Sequence, residues 1–246
     1  MPRGPGWRGW LRRAALLAGA LITLIAVAIV ALLALTPSVG NAPSIARVQA
    51  RSDRSPYPGP VVPARFAQAL ISTEDHRFAS EPGFDPLAIW RVVQSILTGK
   101  DQGGATLYQQ LAKLLYARGQ AGLALYADEF ALGIKLRFSY SGAQILRMYA
   151  DVAYFGHGYY GLEAASCGYF GLPPGRLSWP QSAVLAGLVQ APTDYDPLAH
   201  AALARSREGH VLSRLVATGV LTQSQAAAAF AIPMERLVAH TGGCTA

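Results

Sequence analysis

A mainly α-helical domain behind one N-terminal transmembrane helix is the fold that this 246-residue sequence predicts. Three observations predict it: a long apolar run near the N-terminus, helix-start signals that recur from about residue 61 onward, and the lack of alternating strand patterns there. Hydrophobic residues make up 52% of the chain and charged residues 14%, which excludes a disordered protein.

The apolar run covers residues 14–35 and is long enough to cross a hydrocarbon core of roughly 30 Å at about 1.5 Å per residue. A cleaved secretory signal is the alternative, although its apolar region is usually only about 7–15 residues long. The preceding tail, residues 1–13, contains four arginines and no acid. Because cationic segments stay inside, we expect a single-pass protein of the cytoplasmic (inner) membrane with its N-terminus in the cytoplasm. The rest of the chain would then be periplasmic or extracytoplasmic.

Beyond the apolar run, composition divides the chain into three parts. Residues 36–60 are rich in Pro, Ser, Gly and Arg and predict a linker. The folded domain is expected over residues 61–235, followed by a tail at 236–246. Inside the domain, residues 121–136 are unusually apolar, which indicates either a buried core helix or a helix face near the bilayer.

Helix boundaries are marked by capping signals. Pro86 follows Asp85 at a first helical position, and Ser/Thr-x-x-Gln capping boxes begin at Ser141, Ser178 and Thr222. The predicted helices cover residues 63–73, 86–98, 105–116, 123–138, 142–151, 160–169, 179–189 and 201–217, with a short one near 223–230.

Charge and cysteine content exclude further classes. Outside the N-terminal arginines, the chain carries an excess of only three positive charges, which is too weak for a nucleic-acid binder. Cys167 and Cys244 lie far apart without a Cys-x-x-Cys pattern, so the sequence predicts neither a zinc site nor a disulfide framework. We expect Cys167 to pack as a small apolar residue, and no metal site is predicted.

Two carboxylates are candidates for acid–base chemistry. Glu74 and Asp75 end an apolar helix just before a glycine-containing loop, and an apolar wall would raise the pKa of Glu74 toward that of a general base. Helix ends also carry acids merely for solubility. Glu129 lies in the apolar helix and either points to solvent or needs a polar partner. Its functional interpretation is a second carboxylate that faces Glu74 across a cleft.

The segment GGATLYQQLAK (103–113) is a glycine-led helix start. Its backbone N–H groups and the Thr106 hydroxyl could bind an anion or a sugar, and Gln110 and Lys113 share a helix face. An ordinary helix start with a solvated lysine is the alternative interpretation.

Taken in order, these segments resemble the peptidoglycan glycosyltransferases of glycosyltransferase family 51, in particular the monofunctional biosynthetic transglycosylases. The likeness runs from about residue 62 to 226. It is carried by EDHRFASEPGFD (74–85), GGATLYQQLAK (103–113), the Glu129 helix, YSGAQILRMYADVAYFGHGYYGLEAASCGYFG (140–171) and LSWPQSAVLAGLVQAPTDYDPL (177–198). The resemblance implies a mainly α, lysozyme-like glycosyltransferase domain. Because only about 50 residues follow Asp196, no penicillin-binding module is expected.

The resemblance also implies an activity: polymerisation of lipid II into glycan strands outside the membrane, with release of undecaprenyl pyrophosphate. Glu74 would be the general base, and Glu129 would assist at the pyrophosphate side or organise the site. The implied substrate-binding residues are Asp75, Phe78, Thr106, Gln110 and Lys113, with the nearby cations Arg118, Lys135 and Arg137. We expect that no cofactor is required, although the reaction could use a divalent cation (Mg²⁺ or Mn²⁺). The implied partners are lipid II, the growing strand, the membrane and other cell-wall synthases or division proteins, but not nucleic acid.

Several positions depart from the family pattern. A histidine is replaced by Glu81, a serine by Ala105, a basic pair by Leu125 and Tyr126, a lysine by Leu172 and an asparagine by Asp151. Losing cations beside a pyrophosphate weakens transition-state stabilisation. A second hypothesis is therefore a degenerate member that binds lipid II or a synthase without catalysis. A third is a glycan-cleaving enzyme, since lysozyme-like folds also host hydrolases with paired carboxylates.

Overall fold

The computed structural model of the chain describes residues 6–84, 105–117, 123–238 and 244. Within these ranges the chain is helical, and its β pairing is one isolated bridge between Tyr154 and Tyr160. The helices are α1 Gly6–Leu35, α2 Ala42–Ser52, α3 Ala64–Glu74, α4 Leu107–Tyr116, α5 Leu123–Ser139, α6 Gly142–Val152, α7 Leu162–Phe170, α8 Trp179–Leu188, α9 Ala201–Ala217, α10 Gln223–Phe230 and α11 Met234–Leu237. A 3₁₀ turn covers Pro174–Arg176. The predicted mainly α fold class is confirmed.

Capping boxes start three of these helices as predicted. Ser141 and Thr222 each accept the backbone N–H of the glutamine three residues later with their hydroxyl. At all three starts the glutamine side chain accepts the backbone N–H of the serine or threonine. A fourth box, at Thr106, starts α4. The helix predicted over residues 86–98 lies outside the described residues.

α1 contains the predicted transmembrane segment. Among the described residues, α1 is the one helix that is long and apolar enough to cross a membrane, and its candidate span is Gly9–Leu35. None of its most apolar window is buried inside the protein, unlike the core helix of a soluble domain. A bilayer would cover the exposed apolar surface of this helix. The helix therefore supports a single-pass, membrane-anchored chain.

The linker predicted over residues 36–60 contains a packed helix. α2 buries Ala42, Ala46 and Ala50 on one face and packs against α4 and α6. The Tyr57 hydroxyl donates to the Pro43 carbonyl at 2.9 Å, which ties the segment after α2 back to its first turn. The prediction was wrong for this segment because the buried face consists of alanines, which give a weak hydrophobic signal. The folded unit therefore begins before residue 61.

The core forms around α3, α8 and α9, which pack against one another. α8 is buried along nearly its whole length, from Pro180 to Leu188. α4 packs between α5 and α6 on the other side. This arrangement places the C-terminal end of α3 near side chains from both α9 and α4.

Cys167 and Cys244 form a disulfide bond, with Cα atoms 4.6 Å apart. The expectation that Cys167 packs as a small apolar residue outside any disulfide was wrong. The partners are separated by 77 residues, so no local spacing pattern could indicate the bond. The bond joins α7 to the end of the chain.

Asp151 offers a stability prediction, because it stands where the resemblance leads one to expect asparagine. Its side chain is buried and accepts the backbone N–H of Gly59, while Nη2 of Arg147 donates to the Gly59 carbonyl at 2.7 Å. Burial raises the pKa of Asp151 to about 6. The native state therefore binds the proton more tightly than the unfolded chain, and stability is lost as pH rises from about 4 through about 6.

We accordingly expect Asp151→Asn to raise Tm by a few degrees at pH 8 and to change it little at pH 4. Thermal unfolding of the purified protein in detergent measures both values. An equal change in Tm at the two pH values would contradict this explanation.

Candidate active site

The end of α3 is the centre of the candidate site. α3 buries Phe66, Ala69 and Leu70 in the core, so its last turn is held firmly where the helix stops at Glu74. The Glu74 side chain is 13% exposed. A carboxyl group is thus largely removed from water but not sealed off.

Two side chains from other helices hold the Glu74 carboxylate. Nη2 of Arg207, on α9, donates to Oε1 at 2.8 Å, and Nε2 of Gln110, on α4, donates to Oε2 at 3.3 Å. Burial raises the pKa of Glu74, while the Arg207 cation and the Gln110 hydrogen bond oppose this rise. A fixed carboxylate with a raised pKa has the properties of a general base.

Tyr149, on α6, fixes the orientation of the Gln110 amide. Its hydroxyl donates to Oε1 of Gln110 at 2.9 Å, which leaves the amide nitrogen to face Glu74. Burial raises the pKa of Tyr149, so the hydroxyl keeps its proton and stays a donor. Three helices therefore cooperate in holding one carboxylate.

Asp75 is turned inward and joins α3 to α4. Its Oδ2 accepts the backbone N–H of Leu107, the first residue of α4, at 2.9 Å. It is also hydrogen-bonded to the buried Glu81 side chain, and burial raises the pKa of Asp75. The carboxyl group thus helps to position α4, and its predicted role in substrate binding stays a prediction.

Thr106 and Phe78 are also engaged inside the fold. The Thr106 hydroxyl accepts the backbone N–H of Gln109 and donates to the Gly83 carbonyl at 3.2 Å. Phe78 is buried and stacks on Tyr108, with ring centroids 4.8 Å apart. These two residues, predicted to bind substrate, hold the start of α4 against the loop that follows α3.

Of the cations predicted to bind substrate, Lys113 lies closest in sequence to the side chains that hold Glu74. It is exposed on α4, three residues after Gln110, and residues with that spacing are neighbours on a helix surface. The ammonium group is therefore available on the side of α4 that carries the Glu74 contact. Arg118 lies outside the described residues.

Lys135 and Arg137 are held at other places on α5. Nζ of Lys135 donates to the carbonyls of Thr36 and Pro37, at 2.7 and 2.9 Å, and so joins α5 to the end of α1. Nε of Arg137 donates to the Glu81 carbonyl at 3.0 Å. The structure does not bring these two cations to Glu74, and their role in substrate binding stays a prediction.

The apolar segment around Glu129 is a core helix. α5 packs against α4, and Glu129 is 6% exposed on it. Where the resemblance leads one to expect a basic pair, Leu125 is buried and Tyr126 is 47% exposed. The described part of α5 therefore presents an apolar side chain and a phenol at these two positions, and a catalytic role for Glu129 stays a prediction.

Arg207 and Tyr149 are the residues that the sequence did not single out. Arg207 lies in the helix predicted over residues 201–217, to which the sequence gave no role at the site. Arg207 and Arg214 are seven residues apart, which places both on one helix face, and both reach α3: Nε of Arg214 donates to the Ser72 carbonyl at 3.2 Å. That spacing indicates a shared face, but which arginine meets a carboxylate depends on the packing of α9 against α3.

In the part of the chain that the structure describes, no group of three His, Cys, Asp or Glu side chains is arranged to hold a metal ion. The carboxylates of Glu74 and Asp75 already accept hydrogen bonds from Arg207, Gln110 and the Leu107 backbone.

Known proteins share this domain. Penicillin-binding protein 1A of Streptococcus oralis is 36% identical over 169 residues, which are 67% of this chain and 26% of that protein. Penicillin-binding protein 1F of Bacillus subtilis is 34% identical over 179 residues, which are 72% of this chain and 25% of that protein. The chain thus spans about a quarter of the length of these relatives. A crystal structure of penicillin-binding protein 1A from Haemophilus influenzae aligns with 70% of this chain and 16% of its own, at 20% identity and a TM-score of 0.41.

A family model matches most of the chain, rather than one short motif. The transglycosylase family model matches residues 41–216, which include α2 through nearly all of α9. It therefore includes Glu74, Gln110, Tyr149 and Arg207, and its first residues fall in the segment that sequence composition had suggested was a linker. The chain belongs to the transglycosylase family, the peptidoglycan glycosyltransferases of glycosyltransferase family 51.

Proposed function

We propose that this chain polymerises lipid II into glycan strands on the outer face of the cytoplasmic membrane and releases undecaprenyl pyrophosphate. The observation that carries the proposal is the Glu74 carboxylate, which is largely buried and held by Arg207 and Gln110 within a transglycosylase domain. Because both the donor and the acceptor carry lipids, a domain that acts on them would lie at the membrane, which explains why it follows an apolar helix. The arginine-rich tail supports an orientation with the N-terminus in the cytoplasm.

In this reaction Glu74 takes the proton of the attacking hydroxyl. The 4-hydroxyl oxygen of the acceptor N-acetylglucosamine forms a bond to C1 of the donor N-acetylmuramic acid. The bond from C1 to the pyrophosphate oxygen breaks, and the leaving group keeps the electron pair. The proton moves to Glu74, so charge and atoms balance without a nucleotide or another cofactor.

Lys113 supports the departure of the leaving group. Pyrophosphate gains negative charge as the C1–O bond breaks, and a nearby ammonium group stabilises that charge. We propose that the transfer needs no bound cofactor, and that a divalent cation such as Mg²⁺ or Mn²⁺ would act only by binding the substrate's own phosphates. Polymerisation with and without a chelator tests this part.

A binding protein without catalysis is the second candidate function. Leu125 and Tyr126 favour it, because neither supplies the cations expected beside the pyrophosphate. Such a protein would bind lipid II or another cell-wall synthase and leave lipid II intact.

Incubation of the full-length protein in detergent with labelled lipid II separates these functions. A ladder of glycan products supports the glycosyltransferase. Saturable lipid II binding with no product would establish the binding protein instead. Release of fragments from purified sacculi would identify a glycan-cleaving enzyme.

A further inference from the structure

We propose that Arg207 is a positioning residue for the transfer, which holds the Glu74 carboxylate ionised and in one orientation at the end of α3. The inference rests on the function proposed above, in which Glu74 is the base. Arg207 does not itself touch the reacting atoms in this scheme. It acts through the side chain that does.

The contact is close and shielded from water. Nη2 of Arg207 lies 2.8 Å from Oε1 of Glu74, and the two side chains are 11% and 13% exposed. Exposed ion pairs are weakened by solvent and salt, whereas a pair with this little exposure retains more of its attraction. Removing one partner from such a pair leaves the other as an uncompensated buried charge.

Arg207 is itself held in place. Its Nε donates to the Gly187 carbonyl on α8 at 3.3 Å, and its guanidinium lies over the ring of Tyr195 at 5.7 Å. A Cβ at Gly187 would lie 2.8 Å from Cγ of Arg207, so the glycine provides the space in which the arginine stem passes. The cation therefore has little freedom to leave Glu74.

The two oxygens of Glu74 have different partners, which divides their tasks. Oε1 faces the Arg207 cation, and Oε2 faces the neutral Gln110 amide that Tyr149 orients. Each carboxylate oxygen can accept more than one hydrogen bond, so a substrate hydroxyl can still approach. Gln110 fixes direction, and Arg207 supplies the charge that offsets burial.

Other titratable groups around the pair do not supply this charge. Asp75, next in the chain, adds negative charge and raises the pKa of Glu74, and Tyr149 on α6 stays protonated. His210, on α9, has its pKa lowered by burial and by the arginines near it, so it is neutral above that lowered value. Among the groups that act on Glu74, Arg207 is the cation with the largest effect.

The dependence of polymerisation rate on pH tests this role. A general base works when ionised, so the rate rises with pH through the pKa of Glu74. Removing a cation at this distance raises a carboxyl pKa by about 1–3 units. In Arg207→Gln we expect the acidic limb of the pH–rate profile to move up by at least about one unit. The rate would then fall about tenfold or more at any pH on that limb, and by less at higher pH.

Two variants separate charge from packing. Arg207→Lys keeps a cation and should return the acidic limb most of the way toward wild type. Arg214→Gln removes the other arginine that tethers α9 to α3, without a bond to Glu74, and should leave the limb in place. An Arg207→Gln limb at the wild-type position, or an equal loss of rate at every pH, would overturn the proposal.

A double-mutant cycle tests the pair without turnover. Arg207→Gln should lower Tm markedly in the wild-type background and much less in the Glu74→Gln background, because the second background has no buried charge to leave uncompensated. Additive changes in Tm would contradict the pairing. Wild type that forms no glycan would refute the proposed function, while the cycle would still decide whether Arg207 holds Glu74.

Discussion

Glu74→Gln is expected to lower the rate of lipid II polymerisation by about 100- to 10,000-fold, the range that a general base contributes. Glutamine has nearly the same shape and can still accept a hydrogen bond from Arg207, but it cannot take a proton from the acceptor hydroxyl. The hydrogen bond from Arg207 can persist on the remaining oxygen, whereas the amide nitrogen that replaces Oε2 cannot accept the hydrogen bond from Gln110. We expect Tm to fall as well, because buried Arg207 loses its counter-charge. The folded variant should still bind lipid II, so its loss of rate should far exceed any loss of binding.

A matched control is Glu208→Gln. Glu208 is also a buried glutamate paired with an arginine of α9, since Nη1 of Arg205 lies 2.8 Å from its Oε2. It has no contact with Glu74, so the variant should keep its activity wherever it remains folded. Polymerisation by Glu74→Gln at a rate close to wild type would show that another group is the base.

Lys113→Met should give the second-largest loss, about 100-fold in kcat. The exposed ammonium group lies one turn from Gln110 on α4, and the positions of Leu125 and Tyr126 offer no cation to share its task. Because the charge on pyrophosphate grows as the C1–O bond breaks, the loss should appear in kcat more than in KM.

Lys113→Arg keeps the cation and should retain a large share of the rate. Arg176→Met, which removes an exposed cation from the 3₁₀ turn, serves as the control for a general loss of positive charge. Steady-state kinetics on lipid II measure all three variants. If Lys113→Met matched wild type in kcat, leaving-group stabilisation would have to come from elsewhere.

Much of the helical framework could be predicted from sequence because its signals are local. The capping boxes at Ser141, Ser178 and Thr222 lie within four residues and mark helix starts in the structure. α2 escaped prediction because its buried face is alanine. The bond between Cys167 and Cys244 escaped it because packing, not spacing, brings those residues together.

The candidate site shows the same division. Glu74 could be found from its place at the end of an apolar helix, and Gln110 and Lys113 from their shared face. Arg207 lies 133 residues from Glu74 in the chain, and only the packing of α9 on α3 places its guanidinium at the carboxylate. Asp75 and Thr106 also bind the backbone around α4, contacts that the sequence did not indicate, and their role in substrate binding stays a prediction.

In the proposed reaction this chain transfers a glycan and expels a lipid pyrophosphate. The most direct measurement counts undecaprenyl pyrophosphate released and disaccharide units joined by the wild-type protein from lipid II. We predict one pyrophosphate lipid for each new glycosidic bond, in step with chain growth. Lipid II that is bound but unchanged, with no pyrophosphate lipid released, would contradict the claim and leave a binding protein built on a glycosyltransferase fold.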